Sequence, residues 1–379
     1  MQKIKMNEAY LPIMTLTYFF VLMFKYCLES WNNDYKDFIS SYLVVVHIFS
    51  WVWIAYALYI SKNKERIFFT LVVLFFIFSF FMAKSQYCYW IITAYPLFIF
   101  FSRLDYKSKV KIVFTAQTVV LICFLLILPF SKDLFFIDDR YIRFTGGLDN
   151  PNTLSAILLS YYLSMTLFLN VYVGSNRFVF ILLALLSGIL FYTIMYYTYS
   201  RTHMALLILS VTLSCLPFLW RFISRKVIII TIALGVFCQM YLATSFVKGD
   251  ALSALINTLT SGRVYQSSRL FIDFLMPGLF YGNDIAEYQP IDFFYIKTIF
   301  SGGVIYFLIL AYFLVKFLMK SRELPSLFYL FFFVMVLTSY TESYYNIVTL
   351  NFTILFIYQM KSELVLRTIN NDNRVLNES

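Results

Sequence analysis

In a 379-residue chain that is mostly apolar, a few short stretches carry side chains able to do chemistry. Arg143 leads through Gly146 and Gly147 to Asn150-Pro151-Asn152, and Tyr199-Ser200-Arg201-Thr202-His203 separates two apolar runs. Thr260-Ser261-Gly262-Arg263 lies in a long polar segment that closes at Asp292 and Tyr295, ahead of Gly302-Gly303. Glu342 stands between Tyr340 and Tyr344. Guanidinium groups match phosphate oxygens two at a time and keep their charge in partly dry surroundings. Either carboxylate, Asp292 or Glu342, is a candidate general base wherever a hydroxyl comes within hydrogen-bond reach. Such a set describes a site that holds an anion and activates a hydroxyl.

Each motif also has a plainer reading. Asn150 is a good N-cap and Pro151 suits the first helical position, so this stretch is in the first place a well-made helix start. Its free N–H groups, close-approach glycines and nearby Arg143 would equally suit an anion. Arg201, with almost no loop around it, is costly at a membrane face unless it is paired or snorkels to headgroups. Asp292 at a helix entrance is a favourable dipole partner. Ser-Gly-Arg is weak alone and gains meaning only from sharing a face with the other arginines. Arg269 and Asp273 read as a surface pair, His203 as a helix-end histidine and His47 as a packed polar residue.

The elements that must position these residues are membrane helices. Hydrophobic residues make up 61% of the chain and charged ones 13%, outside the range of soluble domains. Charge-poor windows of about 20 residues, enough to cross roughly 30 Å of hydrocarbon, predict about twelve spans. These fall at 10–28, 38–60, 67–83, 87–101, 110–130, 153–173, 178–197, 204–220, 227–247, 295–317, 327–340 and 345–360. The fourth and eleventh are short enough to be re-entrant or tilted. The expected fold is therefore an all-α polytopic membrane protein, a single integral membrane domain over residues 1–379.

Charge gives the sidedness. Lys62, Lys64, Arg66, Arg103, Lys107, Lys109, Lys111, Arg177, Arg221, Arg225, Lys226, Lys316, Lys320 and Arg322 mark one side, joined by Lys3 and Lys5 and by Lys361, Arg367 and Arg374. The intervening connections hold most of the acids, among them Glu29, Asp34, Asp133, Asp138, Asp139, Asp149, Asp250, Asp284 and Glu342. By the positive-inside rule both termini are cytoplasmic, and residues 131–152 and 248–292 form long extracytoplasmic loops, the second between helices 9 and 10. Phe271, Phe274, Leu275 and Met276 in that loop predict a helix at the membrane surface. The first helix is expected to act as its own insertion signal, with no cleaved leader. The same loop basicity accounts for the net charge of +10 without nucleic acid. Five scattered cysteines with no CxxC pair give no metal or disulfide signal.

Arg143 with its glycines and Asn150-Pro151-Asn152, the Ser200-Arg201-Thr202 mouth, the Thr260-Ser261-Gly262-Arg263 loop and Asp292 ahead of Gly303 together resemble the O-antigen and capsular polysaccharide polymerases and the related O-antigen ligases. The resemblance covers Arg143 to Gly303, with Glu342 a looser fit. It implies a GT-C-like glycosyltransferase of the bacterial cytoplasmic membrane. Such an enzyme joins oligosaccharide repeat units carried on undecaprenyl pyrophosphate at the outer face, with no metal and no cofactor. Arg201 and Arg263 match the family's pyrophosphate-holding arginines, and Arg143, Asn150 and Asn152 match its earlier motif. Tyr295 joins these as a substrate-binding candidate, and Asp292 and Glu342 are the candidate bases. Implied partners are the lipid-linked oligosaccharide, membrane lipids, a chain-length regulator and a flippase. Ligases usually carry His-Asn where this chain has Asp292-Phe293, which favours a polymerase. The rival from another class is a flippase or other transporter, which needs charged or broken-helix residues near the bilayer midplane. A structural membrane protein is the remaining alternative.

Overall fold

A computed structural model describes residues 10–84, 89–137, 142–321, 324–343 and 347–358. Lys3, Lys5, Cys88, Asp138, Asp139, Arg322, Lys361, Arg367 and Arg374, and with them both expected cytoplasmic termini, lie outside the described residues.

The chain is helical nearly throughout. In order it forms α1 (Tyr10–Glu29), α2 (Lys36–Ile60), α3 (Asn63–Ala83), α4 (Tyr89–Phe101), α5 (Tyr106–Ile127), a two-stranded hairpin of β1 (Phe135–Ile137) and β2 (Ile142–Phe144), α6 (Pro151–Tyr172), α7 (Arg177–Tyr196), α8 (Arg201–Cys215) and α9 (Arg225–Val247). The C-terminal part forms α10 (Ala251–Leu259), α11 (Arg263–Asp273), α12 (Phe294–Gly302), α13 (Val304–Lys320), α14 (Ser326–Thr338) and α15 (Thr353–Ile357). Helices start where the sequence offers a cap: the side chains of Asp105, Asn150, Asn176, Ser224 and Asp250 each accept a backbone N–H of the turn they precede.

Among the described residues seven helices, namely α1, α2, α3, α5, α6, α7 and α9, are long and apolar enough to cross a membrane, and α4, α8 and α14 are shorter apolar helices. The 13 residues of α4 and of α14 rise only about 20 Å at 1.5 Å per residue. The axis of the bundle is α6, 67% of whose apolar window is buried, together with α14, buried along nearly its whole length. Around them α2, α3, α7 and α9 turn most of their apolar surface outward. Such a surface is costly in water and costs nothing against lipid tails.

Three expectations change. The span expected at 295–317 is broken between α12 and α13 at Gly303, whose backbone (φ 88°, ψ 161°) only glycine adopts readily. The groups freed there are taken up by the segment leading into α12: Val304 N–H donates to Gly278 O (2.9 Å), Ile305 N–H to Leu279 O (3.0 Å) and Asn283 N–H to Phe300 O (2.6 Å). The span expected at 345–360 is instead a turn over residues 347–352 followed by the five-residue α15, with Tyr345, Gln359 and Met360 outside the described residues. Its carbonyls are held from the side: Gln117 Nε2 donates to Thr349 O (3.1 Å) and Ser160 Oγ to Leu350 O (2.6 Å). Irregular backbone is tolerated at membrane depth when protein groups satisfy it in this way. The apolar run over 204–220 ends its α-helix at Cys215, and Pro217–Phe222 winds as a 3-10 turn. In the long loops, β1 and β2 occupy 131–152, and α10 and α11 occupy 248–292. Phe271 and Phe274 pack against Phe300, and Leu275 and Met276 remain exposed beyond the end of α11.

Candidate functional site

The four motifs meet at one end of the bundle. The link begins inside the core with Gln239 of α9, which is 2% exposed. Its Nε2 donates to the carbonyls of Ser339 (2.8 Å) and Tyr340 (3.0 Å) at the end of α14, and its Oε1 accepts the N–H of Tyr295 (2.9 Å) at the start of α12. One amide therefore ties two chain segments together, just before Glu342 on one and just after Asp292 on the other.

Between those carboxylates lies Arg263. The turn Thr260-Ser261-Gly262 delivers it: Ser261 and Gly262 both have positive φ (55° and 87°), and Gly262 N–H caps α10 by donating to Asn257 O (2.8 Å). Arg263, the first residue of α11, then donates from Nε to Asp292 Oδ2 at 3.0 Å and from Nη2 to Glu342 Oε1 at 2.7 Å. The side chains are 14% (Arg263), 27% (Asp292) and 2% (Glu342) exposed. Burial pushes the Glu342 carboxyl up to about 7, against the opposing pull of Arg263. Two of the five N–H donors of the guanidinium are used among the described residues, which leaves three for another acceptor.

Arg143 approaches from the hairpin. Its Nε donates to Thr198 O (2.8 Å) and its Nη2 to Asn152 Oδ1 (2.9 Å), so the residue locks β2 to the α7–α8 junction and to the first turn of α6. Phe144 N–H donates to Tyr197 O (2.8 Å) and adds to the same lock. Arg143 also lies within electrostatic reach of Glu342. Asn150 caps α6 through the Asn152 N–H (2.8 Å), as its sequence context predicts.

Arg201 opens α8 beside this group. Its neighbour Thr202 accepts from Thr341 Oγ1 (3.4 Å), one residue before Glu342, while the Arg201 side chain is exposed and pairs with none of the described residues. His203 is buried, its Nδ1 2.7 Å from Ser200 Oγ. Both α8 and α11 thus begin on an arginine, adding a full positive charge to the partial one at a helix N-terminus. That arrangement is unfavourable for the helices in isolation and favourable for an anion between them.

Two residues of the site went unnoticed in the sequence. Lys297 of α12 points its Nζ at Ser343 Oγ (3.4 Å) and lies within electrostatic reach of Asp292. Gln239 is the other. Both are polar residues inside apolar runs, which is the signal that marks them. Tyr295, a substrate-binding candidate, is instead an interior residue: it is 3% exposed, and its hydroxyl accepts from Ser339 Oγ at 2.8 Å. Arg269 does not pair with Asp273 among the described residues. Its guanidinium stands 5.3 Å over the Tyr288 ring. His47 contacts the Tyr89 hydroxyl (3.2 Å).

The site thus gathers Arg143, Arg201, Arg263 and Lys297 around Asp292 and Glu342, a surplus of positive charge with one carboxyl poised near neutrality. Among the described residues, no group of three or more His, Cys, Asp or Glu side chains has metal-binding geometry. No protein-family model, curated protein or solved structure matches the chain.

Proposed function

We propose that the chain is a polysaccharide polymerase of the bacterial cytoplasmic membrane, which joins oligosaccharide repeat units carried on undecaprenyl pyrophosphate. The observation that carries this reading is the Arg263 bridge between Asp292 and Glu342, with Arg143, Arg201 and Lys297 around it. In this reading the fold is GT-C-like, with twelve spans and both termini in the cytoplasm. The α12–α13 pair counts as one broken span and the segment containing α15 as another. By the charge rule the arginine end is then extracytoplasmic.

In the reaction, an acceptor hydroxyl oxygen attacks the anomeric carbon of the donor sugar as the bond from that carbon to pyrophosphate oxygen breaks. The electron pair leaves with the lipid pyrophosphate, and fixed cations where water is scarce stabilise the charge that grows there. Arg201 and the Arg263 N–H groups that bond to no described residue take this role in the proposal. The hydroxyl proton passes to Glu342, whose raised pKa matches a base working near pH 7. Asp292 holds the Arg263 fork in place. A chain-length regulator and a flippase are the expected partners.

One observation favours a transporter: the break at Gly303, since half-helices often line transport sites. Here the freed backbone groups are filled by Gly278, Leu279 and Asn283 and are not left for a substrate. Deleting the gene separates the readings on a gel of surface glycan. A polymerase mutant leaves single repeat units, a ligase mutant leaves unattached polymer and a flippase mutant traps lipid-linked units inside. Either of the last two outcomes refutes the polymerase.

A further inference from the structure

A concavity lies against the hairpin, beside β1 and the residues that follow β2. It is a cleft of about 300 Å³ whose lining includes Asn32, Asp133, Phe135, Phe136, Thr145 and Asp149, at the small end of the ~300–1,000 Å³ typical of ligand pockets. Its frame is well built. The Asn32 N–H donates to Gly147 O (2.8 Å), Lys132 N–H to Asn32 O (3.0 Å) and Asp149 N–H to Ser30 O (2.7 Å). Gly147, with φ 80°, lies so close to Ser131 that a Cβ would sit 2.2 Å from its Oγ, and Trp31 Nε1 donates to the same Oγ (2.8 Å).

The chemistry of the lining is unlike that of the arginine site. Among the described residues it offers the Asp133 carboxylate, an amide and a hydroxyl beside two phenyl rings and the aliphatic Ile137 and Leu148, with no cation in the lining. Lys132, next to Asp133 in the chain, pairs with Asp34 (3.4 Å). Asp133 is exposed and has no partner among the described residues. Such a surface repels phosphate and gives a bare metal ion few ligands on its aromatic side. It fits a ligand that donates several hydrogen bonds from one edge and presents a C–H face to a ring.

We infer that this cleft is a binding subsite for an uncharged pyranose sugar, with Asp133 accepting from ring hydroxyls and Phe135 stacking on the sugar face. Its place relative to catalysis rests on the polymerase reading. Thr145 in the cleft is two residues from Arg143, so a sugar held here belongs to a glycan bound beside the arginine cluster.

The test uses the full chain purified in a detergent without a sugar headgroup. Saturation-transfer NMR is recorded with glucose, galactose, mannose, rhamnose, N-acetylglucosamine and N-acetylgalactosamine. At least one is expected to give a transfer signal that falls at least fivefold in Phe135→Ala and in Asp133→Ala and persists in Lys64→Ala at the far end of the bundle. Phe135 and Asp133 are exposed, so both variants are expected to keep the wild-type melting temperature, which is measured alongside. The inference is overturned if no sugar gives a signal, if the signal survives both cleft substitutions, or if only a cationic probe such as tetramethylammonium binds. Sugar binding without any polymer phenotype would leave the cleft standing and remove the polymerase. A polymer phenotype without sugar binding would do the reverse.

Discussion

Replacing Arg263 with alanine leaves Glu342, 2% exposed, without its cation. Deleting one partner of a buried ion pair usually costs about 3–5 kcal/mol. Here the carboxyl has an alternative, because burial already holds its pKa at about 7, and it can take up a proton. Near neutral pH the wild-type group is already partly protonated, so completing protonation costs less than about 1 kcal/mol. The lost hydrogen bonds add about 1 kcal/mol. The sign of the pH dependence follows from proton counts. Above pH 7 wild-type Glu342 is ionised both folded and unfolded, so its contribution is flat. In the variant, without the guanidinium that opposes desolvation, the folded carboxyl keeps a proton that the unfolded chain releases. Stability of Arg263→Ala therefore falls relative to wild type as the pH rises above 7, by at most about 1.4 kcal/mol per pH unit. Thermal unfolding of both purified proteins at pH 6, 7, 8 and 9 reads this directly. The gap should be small at pH 6 and widen as the pH rises to 9. A gap that is constant with pH, or largest at pH 6, refutes the reasoning.

Four further substitutions test the site and its frame. Arg201→Ala removes an exposed side chain that pairs with none of the described residues, so stability should stay within about 0.5 kcal/mol of wild type while polymer formation in cells drops about 10²–10³-fold. Glu342→Gln should lower the rate of polymerisation about 10²–10⁴-fold and abolish the rise in rate that wild type shows as pH passes through about 7. Gln239→Leu leaves two carbonyls and two N–H groups of the core without their partner. It should cost about 2–4 kcal/mol in denaturant titration and reduce activity as well. Gly303→Ala forces a side chain onto a backbone at φ 88°, with an expected loss of about 1–3 kcal/mol measured the same way.

The apolar spans were legible because each needs only a run of apolar residues, and the cap of α6 because Asn150 and Pro151 stand immediately before such a run. The break at Gly303 was not, since it depends on residues 278–283 docking against it. The turn over residues 347–352 was hidden for the same reason: its sequence reads as apolar helix, and only Gln117 and Ser160 on distant helices supply partners for an irregular backbone. Strands of three residues, such as β1 and β2, carry too little alternation to be recognised. Arg143, Arg201, Arg263, Asp292 and Glu342 stood out as charges beside spans. Their pairing did not, because Arg263 is 29 residues from Asp292 and 79 from Glu342. Lys297 and Gln239 lie within stretches read simply as membrane helix.

The central claim is that the arginine cluster holds a lipid pyrophosphate while a sugar is transferred from it. Lipid-linked repeat units extracted from cells lacking this gene, incubated with the purified protein, provide the most direct measurement. The account predicts a ladder of lengthening glycan with wild type and none with Arg263→Ala at pH 6.5, where the variant remains folded. Single repeat units with both proteins, or the same ladder from both, would contradict it.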